Sequence, residues 1–177
     1  SVKFVGTATI GTDHLDTAWF ERQGIRWCYA PGCNANSVSE YVTSALLCLA
    51  SRHKFALEGK TIGVVGVGNV GCLVVKKAEA LGMRVLRNDP PRQDKEQGAF
   101  VSLDQVLAES DIVSFHVPLT RIGPHATYHM ADGRFFEKMK RGGILLNGAR
   151  GAVLDTGALL TAMDKGIVAH AVIDTWE

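Results

Sequence analysis

Residues 61–71 read TIGVVGVGNVG. An unbroken apolar run, Thr61–Val65, meets three glycines, Gly66, Gly68 and Gly71, spaced G-x-G-x-x-G. The chain then continues as a helix-forming stretch from Asn69 to Leu81. A strand buried on both faces needs no alternation of apolar and polar residues, and this one shows none. After such a strand each glycine has a task. Gly66 makes the tight turn, Gly68 lets the backbone approach a pyrophosphate, and Gly71 lets the helix pack on the strand. Asn69 and Val70 open the helix, whose first N–H groups and partial positive charge suit phosphates. The plain alternative is a structural strand–turn–helix with no ligand.

Asp89, in VLRNDPPR, decides between the two. It lies 18 residues beyond Gly71 and follows the second strand of the alternating pattern. A carboxylate there accepts hydrogen bonds from adenosine ribose hydroxyls and repels a 2′-phosphate, so NAD is expected over NADP. Arg87 and Arg92 stand close by. They read as a solvated rim, the alternative being a cradle for a 2′-phosphate.

Outward from this unit the pattern repeats. Strands are expected at 84–87, 112–115, 144–146 and 167–173, with a further short strand around Phe100. Helices are expected between them, capped by Ser102, Asp132 and Asp155 and, in the last case, closed by Gly166. The expected fold is α/β, a doubly wound parallel sheet of Rossmann type. Before it, VKFVG and IRWCY read as short strands around a helix, DTAWFERQG. Ser37 and Glu40 stand three apart ahead of an apolar stretch, a capping-box signature. The helix from Val38 to Ser51 is apolar nearly all round. It is expected to be buried, against another subunit in a symmetric homodimer.

Composition sets limits. The 177 residues are 46% hydrophobic with 19 glycines, a globular balance. Nineteen basic and 18 acidic side chains nearly cancel, which argues against nucleic acid as a partner. No apolar run reaches membrane-spanning length, and the start does not have the shape of a signal peptide. The first residue is not Met and the chain opens on a strand, so the amino end is expected to be cut. Cys28, Cys33, Cys48 and Cys72 form no C-x-x-C pair. No metal site is expected, and reduced thiols fit a cytoplasmic protein.

Two further strand ends carry chemistry. In FHVPLT, Val117 and Pro118 would wall a cofactor ring. His116 is a candidate acid–base residue, but with no carboxylate near it in sequence a packed, hydrogen-bonded histidine is favoured. In LLNGARGAVLD, Arg150 stands in a glycine-rich turn at the end of a strand. A guanidinium fixed there suits a bidentate grip on a substrate carboxylate, the alternative being a surface arginine in an exposed loop.

Together, PGCNANSVSEYV, VGVGNVG, FHVPLT, NGARGAVLD and VIDTWE resemble the D-isomer-specific 2-hydroxyacid dehydrogenases, in the right order along the chain. GTATIGTDH, NDPPR and RIGPHATYHM resemble the branch that oxidises 4-phosphoerythronate to its 2-oxo acid for pyridoxal 5′-phosphate synthesis. The resemblance implies an NAD-dependent enzyme of two lobes. Residues 1–35 would be a remnant of a flavodoxin-like substrate domain and hinge, and 36–177 the dinucleotide-binding domain. It implies that Arg150 is catalytic, that Asp174 lies on the nicotinamide side, that Thr9 contacts substrate, and that Gly148 and Ala149 line the cofactor. It also implies that the catalytic glutamate falls two residues past Glu177 and the catalytic histidine later, so that these residues alone mainly bind NAD. The rivals are a glycerate- or phosphoglycerate-type dehydrogenase and an NAD-sensing module like the family's corepressors.

Overall fold

The computed structural model describes residues 2–12 and 14–177. Ser1, and Asp13 within the GTATIGTDH stretch, lie outside the described residues. Two parallel sheets are present among the described residues. The smaller pairs β1 (Phe4–Gly6) with β2 (Arg26–Cys28), joined through α1 (Thr17–Arg22). The larger holds β3 (Thr61–Val65), β4 (Arg84–Asn88), β5 (Ile112–Phe115), β6 (Gly143–Asn147) and β7 (Val168–Ile173) in the order β4-β3-β5-β6-β7. All of its pairings are parallel.

Both faces of this sheet are covered, as the uniformly apolar strands require. Successive side chains point to opposite faces. Ile62, Val64, Ile112, Ile144 and Leu146 pack with α2 (Ala35–His53) and α3 (Asn69–Ala80). Val65, Val113, Phe115 and Leu145 pack with α5 (Leu103–Glu109), α6 (Gly133–Lys138) and α7 (Thr156–Asp164). Phe115, Phe136 and Ile62 are among the fully buried side chains. Each such burial contributes about 1.5–3 kcal/mol. Gly63 is a packing device: a Cβ there would come within 2.3 Å of Val106 Cγ1, so glycine lets α5 lie on β3.

Local chemistry sets the helix starts. Ser102, Asp132 and Asp155 accept from the backbone N–H groups of Gln105, Phe135 and Ala158. The second helix departs from expectation. It begins at Ala35, directly after the Pro31–Gly32 turn, with Asn34 at its cap. Ser37 therefore sits inside the helix, and Glu40 accepts from Asn36 Nδ2 at 2.7 Å instead of closing a capping box. Nor is this helix buried all round. Val42 and Leu46 enter the core, whereas Tyr41, Leu47 and Cys48 are exposed. Phe100 makes an isolated bridge to Arg87 rather than a strand. A short helix unforeseen in the sequence, α4 (Pro90–Gln93), follows β4, with Asp89 as its cap and prolines in its first turn.

Candidate dinucleotide and substrate cleft

The chain leaves β3 toward β4 on one side, while β5 lies on the other, so the carboxyl ends of β3 and β5 part at Gly66 and His116. Open α/β sheets form their crevice at such a point. Gly66 has φ +88°, and a Cβ there would meet the His116 carbonyl at 2.7 Å. A Cβ at Gly71 would lie 2.0 Å from the Gly66 oxygen, so α3 packs on the turn only through glycine. Gly68 differs: a Cβ there would meet nothing within 4 Å. The turn thus presents open backbone at the N-terminus of a twelve-residue helix, the arrangement that accepts a phosphate.

Asp89 lies beside this turn. Its carboxylate accepts from Val67 N at 2.8 Å and from Arg92 N at 3.1 Å. It lines a cavity of about 360 Å³ with Gly66, Gly68, Pro90, Val117 and Pro118. Arg92 stays partly exposed, as expected of a rim residue, but it is tied down rather than free in solvent. Its guanidinium folds back onto the Val67 carbonyl, pairs with Glu96 and lies over the Phe100 ring. Arg87 does stay on the rim, paired with Glu79 at 2.7 Å.

A second cleft, of about 680 Å³, opens on the other side of His116. Thr9, Asn69, Val70, Val117, Pro118, Gly148, Ala149, Arg150 and Asp174 all line it. They come from the loop after β1, the start of α3, and the ends of β5, β6 and β7. Gly71 lines neither space, because it sits beneath the turn. Thr9 Oγ1 is engaged with the Gly11 carbonyl at 2.8 Å and Thr7 Oγ1 at 2.7 Å.

The turn that bears Arg150 is built by Asn147, whose role the sequence did not disclose. This residue is 1% exposed at the end of β6. Its Oδ1 accepts from Ala149 N at 3.1 Å and its Nδ2 donates to the Arg150 carbonyl at 3.0 Å. Its own carbonyl accepts from Asp174 N at 3.0 Å, tying the ends of β6 and β7. Arg150 Nη1 donates to the Ala149 carbonyl at 3.0 Å. The signal in the sequence was the Asn-Gly pair, since asparagine bonds backbone two residues on.

His116 faces both spaces. Its backbone N–H donates to the Val65 carbonyl, and its Nε2 lies 2.9 Å from Ser114 Oγ. Nδ1 is buried without a partner. Burial pushes its pKa down to about 4, so the ring is neutral at neutral pH. Among the described residues no cluster of three or more His, Cys, Asp or Glu side chains is placed to hold a metal ion.

Comparison with known proteins agrees with this geometry. The family model described as D-isomer specific 2-hydroxyacid dehydrogenase, NAD binding domain, matches residues 45–177. Erythronate-4-phosphate dehydrogenases of Bacteroides thetaiotaomicron and Citrobacter koseri are 50% and 51% identical to this chain over 177 and 178 residues. Those alignments take in 99% and 100% of the chain but 51% and 47% of the relatives, so the chain spans about half their length. Among solved structures, D-lactate dehydrogenase from Aquifex aeolicus, complexed with NAD and lactic acid, superposes with a TM-score of 0.85 at 32% identity. That match covers 99% of this chain and 58% of the other. An NAD-dependent formate dehydrogenase from Staphylococcus aureus, in complex with NAD, gives 0.84 at 28%, covering 98% and 58%. The chain therefore belongs to the D-isomer specific 2-hydroxyacid dehydrogenases, and residues 45–177 to their NAD-binding domain.

Proposed function

We propose that this chain binds NAD along the β3–β5 crevice and that the protein carrying it oxidises a 2-hydroxy acid. The observation that supports this best is spatial. Thr9, Arg150 and Asp174 come from three distant segments, and all line one cleft that also takes in Asn69 and Val70, the first residues of α3 after the glycine turn. The turn fits a dinucleotide because Gly68 leaves free the space a side chain would fill. Gly66, Gly68, Asn69 and Val70 would hold the diphosphate, with Gly71 packing α3 beneath the turn. Asp89 would take the adenosine ribose, and Val117 and Pro118 would wall the rings. Gly148, Ala149 and Asp174 would line the nicotinamide side.

NAD supplies the hydride acceptor. The chain's own contribution is orientation. Arg150, fixed in the Asn147 turn, would grip the substrate carboxylate in a planar fork and polarise the neighbouring carbon–oxygen bond. Thr9 would contact the same substrate. His116 would be a poor base, since burial holds its pKa down to about 4 and its Nε2 is engaged by Ser114. The proton acceptor belongs instead to the half of the relatives that this chain does not span. Two relatives of about 50% identity bear the same name. The substrate is accordingly 4-phosphoerythronate, the product its 2-oxo acid, and the setting pyridoxal 5′-phosphate synthesis.

In the same proposal residues 1–35 belong to a substrate lobe and 36–177 to the cofactor domain. The exposed face of α2, with Tyr41 and Leu47, would join a homodimer, and free, exposed Cys28, Cys33 and Cys48 are compatible with a reducing cytoplasm. Calorimetric titration with NAD and a fluorescence assay for NADH from 4-phosphoerythronate test the reading. These 177 residues should bind NAD without turnover. In the whole protein Arg150→Lys should lose most turnover and leave NAD affinity nearly unchanged, because lysine keeps the charge and loses the fork. Robust turnover by the 177 residues alone would reassign the base, with His116 first in line. Absence of NAD binding would sink the proposal.

A further inference from the structure

The stretch RIGPHATYHM, residues 121–130, lines the smaller cavity through His125, Ala126, Thr127 and Met130, and its remaining residues reach the two segments that carry Arg150 and Asp174. His129 is one of two non-glycine residues, among those described, with positive φ, at +48°. A bulky side chain occupies that region at a cost that glycine avoids. Its backbone N–H donates to the Ala152 carbonyl at 2.8 Å, and Ala131 N donates to the Val153 carbonyl at 3.1 Å. The loop is thereby strapped to the turn that follows Arg150. Its ring stacks on Tyr128 at 4.1 Å, which itself lies under the Arg121 guanidinium. The far nitrogen, Nε2, meets Glu177 Oε2 at 2.8 Å.

Glu177 belongs to the segment beyond β7. That segment also carries Asp174 and Thr175, both lining the larger cleft. It touches the Arg150 turn with no room to spare: a Cβ on Gly151 would fall 2.2 Å from the Trp176 carbonyl and 2.4 Å from Glu177 N. Strained backbone persists where the surroundings over-determine it, and it points to a use for the side chain. Here the side chain's use is the contact with Glu177.

From this we infer that the His129–Glu177 pair is a clip that positions Asp174 and Arg150 relative to each other. His129 and Glu177 are positioning residues. They line neither cleft, and they act by holding the segment 174–177 against Gly151. The inference rests on the proposed NAD cleft for its consequence in binding, but the clip itself has a readout that needs no ligand.

The test compares wild type, His129→Gly, Glu177→Ala and the double variant in the 177-residue chain. Glycine accepts φ +48° more readily than histidine, so His129→Gly removes the ring without disturbing the backbone. Its thermal midpoint should be no lower than that of wild type. Amide exchange at Asp174, whose N–H bonds the Asn147 carbonyl, should quicken up to about fivefold in each single variant, the scale of a surface ion pair. Exchange in Ile112–Phe115 should not change. NAD should bind weaker by a similar factor, and the double variant should match the singles, because either change opens the same clip. His129→Asn, which tolerates the left-handed region and lacks the ring, repeats the measurement if the glycine variant does not fold. Unchanged Asp174 exchange in the single variants overturns the inference. So does additive behaviour in the double, and so does unaltered NAD affinity in variants of a wild type that binds it. A wild type that binds no NAD refutes the proposed function instead, and the exchange result then decides the clip alone.

Discussion

His116 provides a measurement that separates a buried structural imidazole from a catalytic one. Unfolded, it takes a proton near pH 6.5, and in the folded chain only near 4, because burial disfavours the imidazolium. Between those values the unfolded chain binds more protons. Acid therefore favours unfolding, and this contribution is whole above pH 6.5 and is lost as pH falls toward 4. Over the interval from pH 7.5 to 5, the two pKa values imply a loss of about 2 kcal/mol from this one residue. For a chain of this size that is a fall of about 4–8 °C in thermal midpoint. It is a ceiling, since the ring borders two clefts that admit water.

The assay is denaturant unfolding of wild type and His116→Gln at both pH values. The glutamine amide can still bond Ser114 Oγ, but it does not titrate. Other groups must be subtracted. His170 is also shifted down by its own burial and by His53 and Arg52. Glu96 and Glu109 are held down by hydrogen bonds from Arg92 and Arg84. The carboxylates lose their contribution only as pH falls below the ordinary carboxylate range, so pH 5 leaves them nearly untouched, and His170 is common to both proteins. Wild type should lose about 2 kcal/mol more than the variant over that interval. Parallel losses would mean that His116 titrates normally when folded. The imidazole would then be open to solvent, and its exclusion as the base would fail.

Three other outcomes follow from single contacts. Gly68→Ala should leave thermal stability within about 1 kcal/mol of wild type yet weaken NAD binding at least tenfold, whereas Gly71→Ala should destabilise the fold outright, because its Cβ meets the Gly66 oxygen at 2.0 Å; calorimetry of folding and of binding checks both, and equal behaviour of the two would refute the division of tasks. Asp89→Ser with Pro90→Arg should shift preference toward NADP by about tenfold or more, read by titrating both cofactors, since serine still caps the short helix while the carboxylate is gone; an unmoved preference would take Asp89 away from the ribose. Leu47→Glu, on the face of α2 that is 49% exposed at this residue, should yield monomer by sedimentation without loss of fold; a wild-type chain already monomeric at high concentration would remove the interface.

What could be read in the sequence was what neighbours in the chain decide. Ser102, Asp132 and Asp155 were legible as caps because a cap bonds an amide three residues on. Gly66, Gly68 and Gly71 were legible because turn, approach and packing act within six residues. The same rule misled at Ser37 and Glu40, where the spacing was right but the preceding turn had already started the helix at Ala35.

What depends on distant contact was silent. Gly63 looks like any strand residue until α5 lies against it, and Arg92 looks like a solvated charge until the short helix turns it onto Val67. Asn147 is the first residue of a visible Asn-Gly pair, yet its burial and its hold on Asp174 need β7 alongside β6. The cleft itself is the largest such case. A sequence can say that Arg150 and Asp174 each follow a strand. Only the parallel order of those strands puts the two strand ends side by side, and only the crossover from β1 brings Thr9 to face them. The chemistry proposed for this protein depends on that coincidence of strand ends, which is why the decisive variants lie in the turns and not in the core.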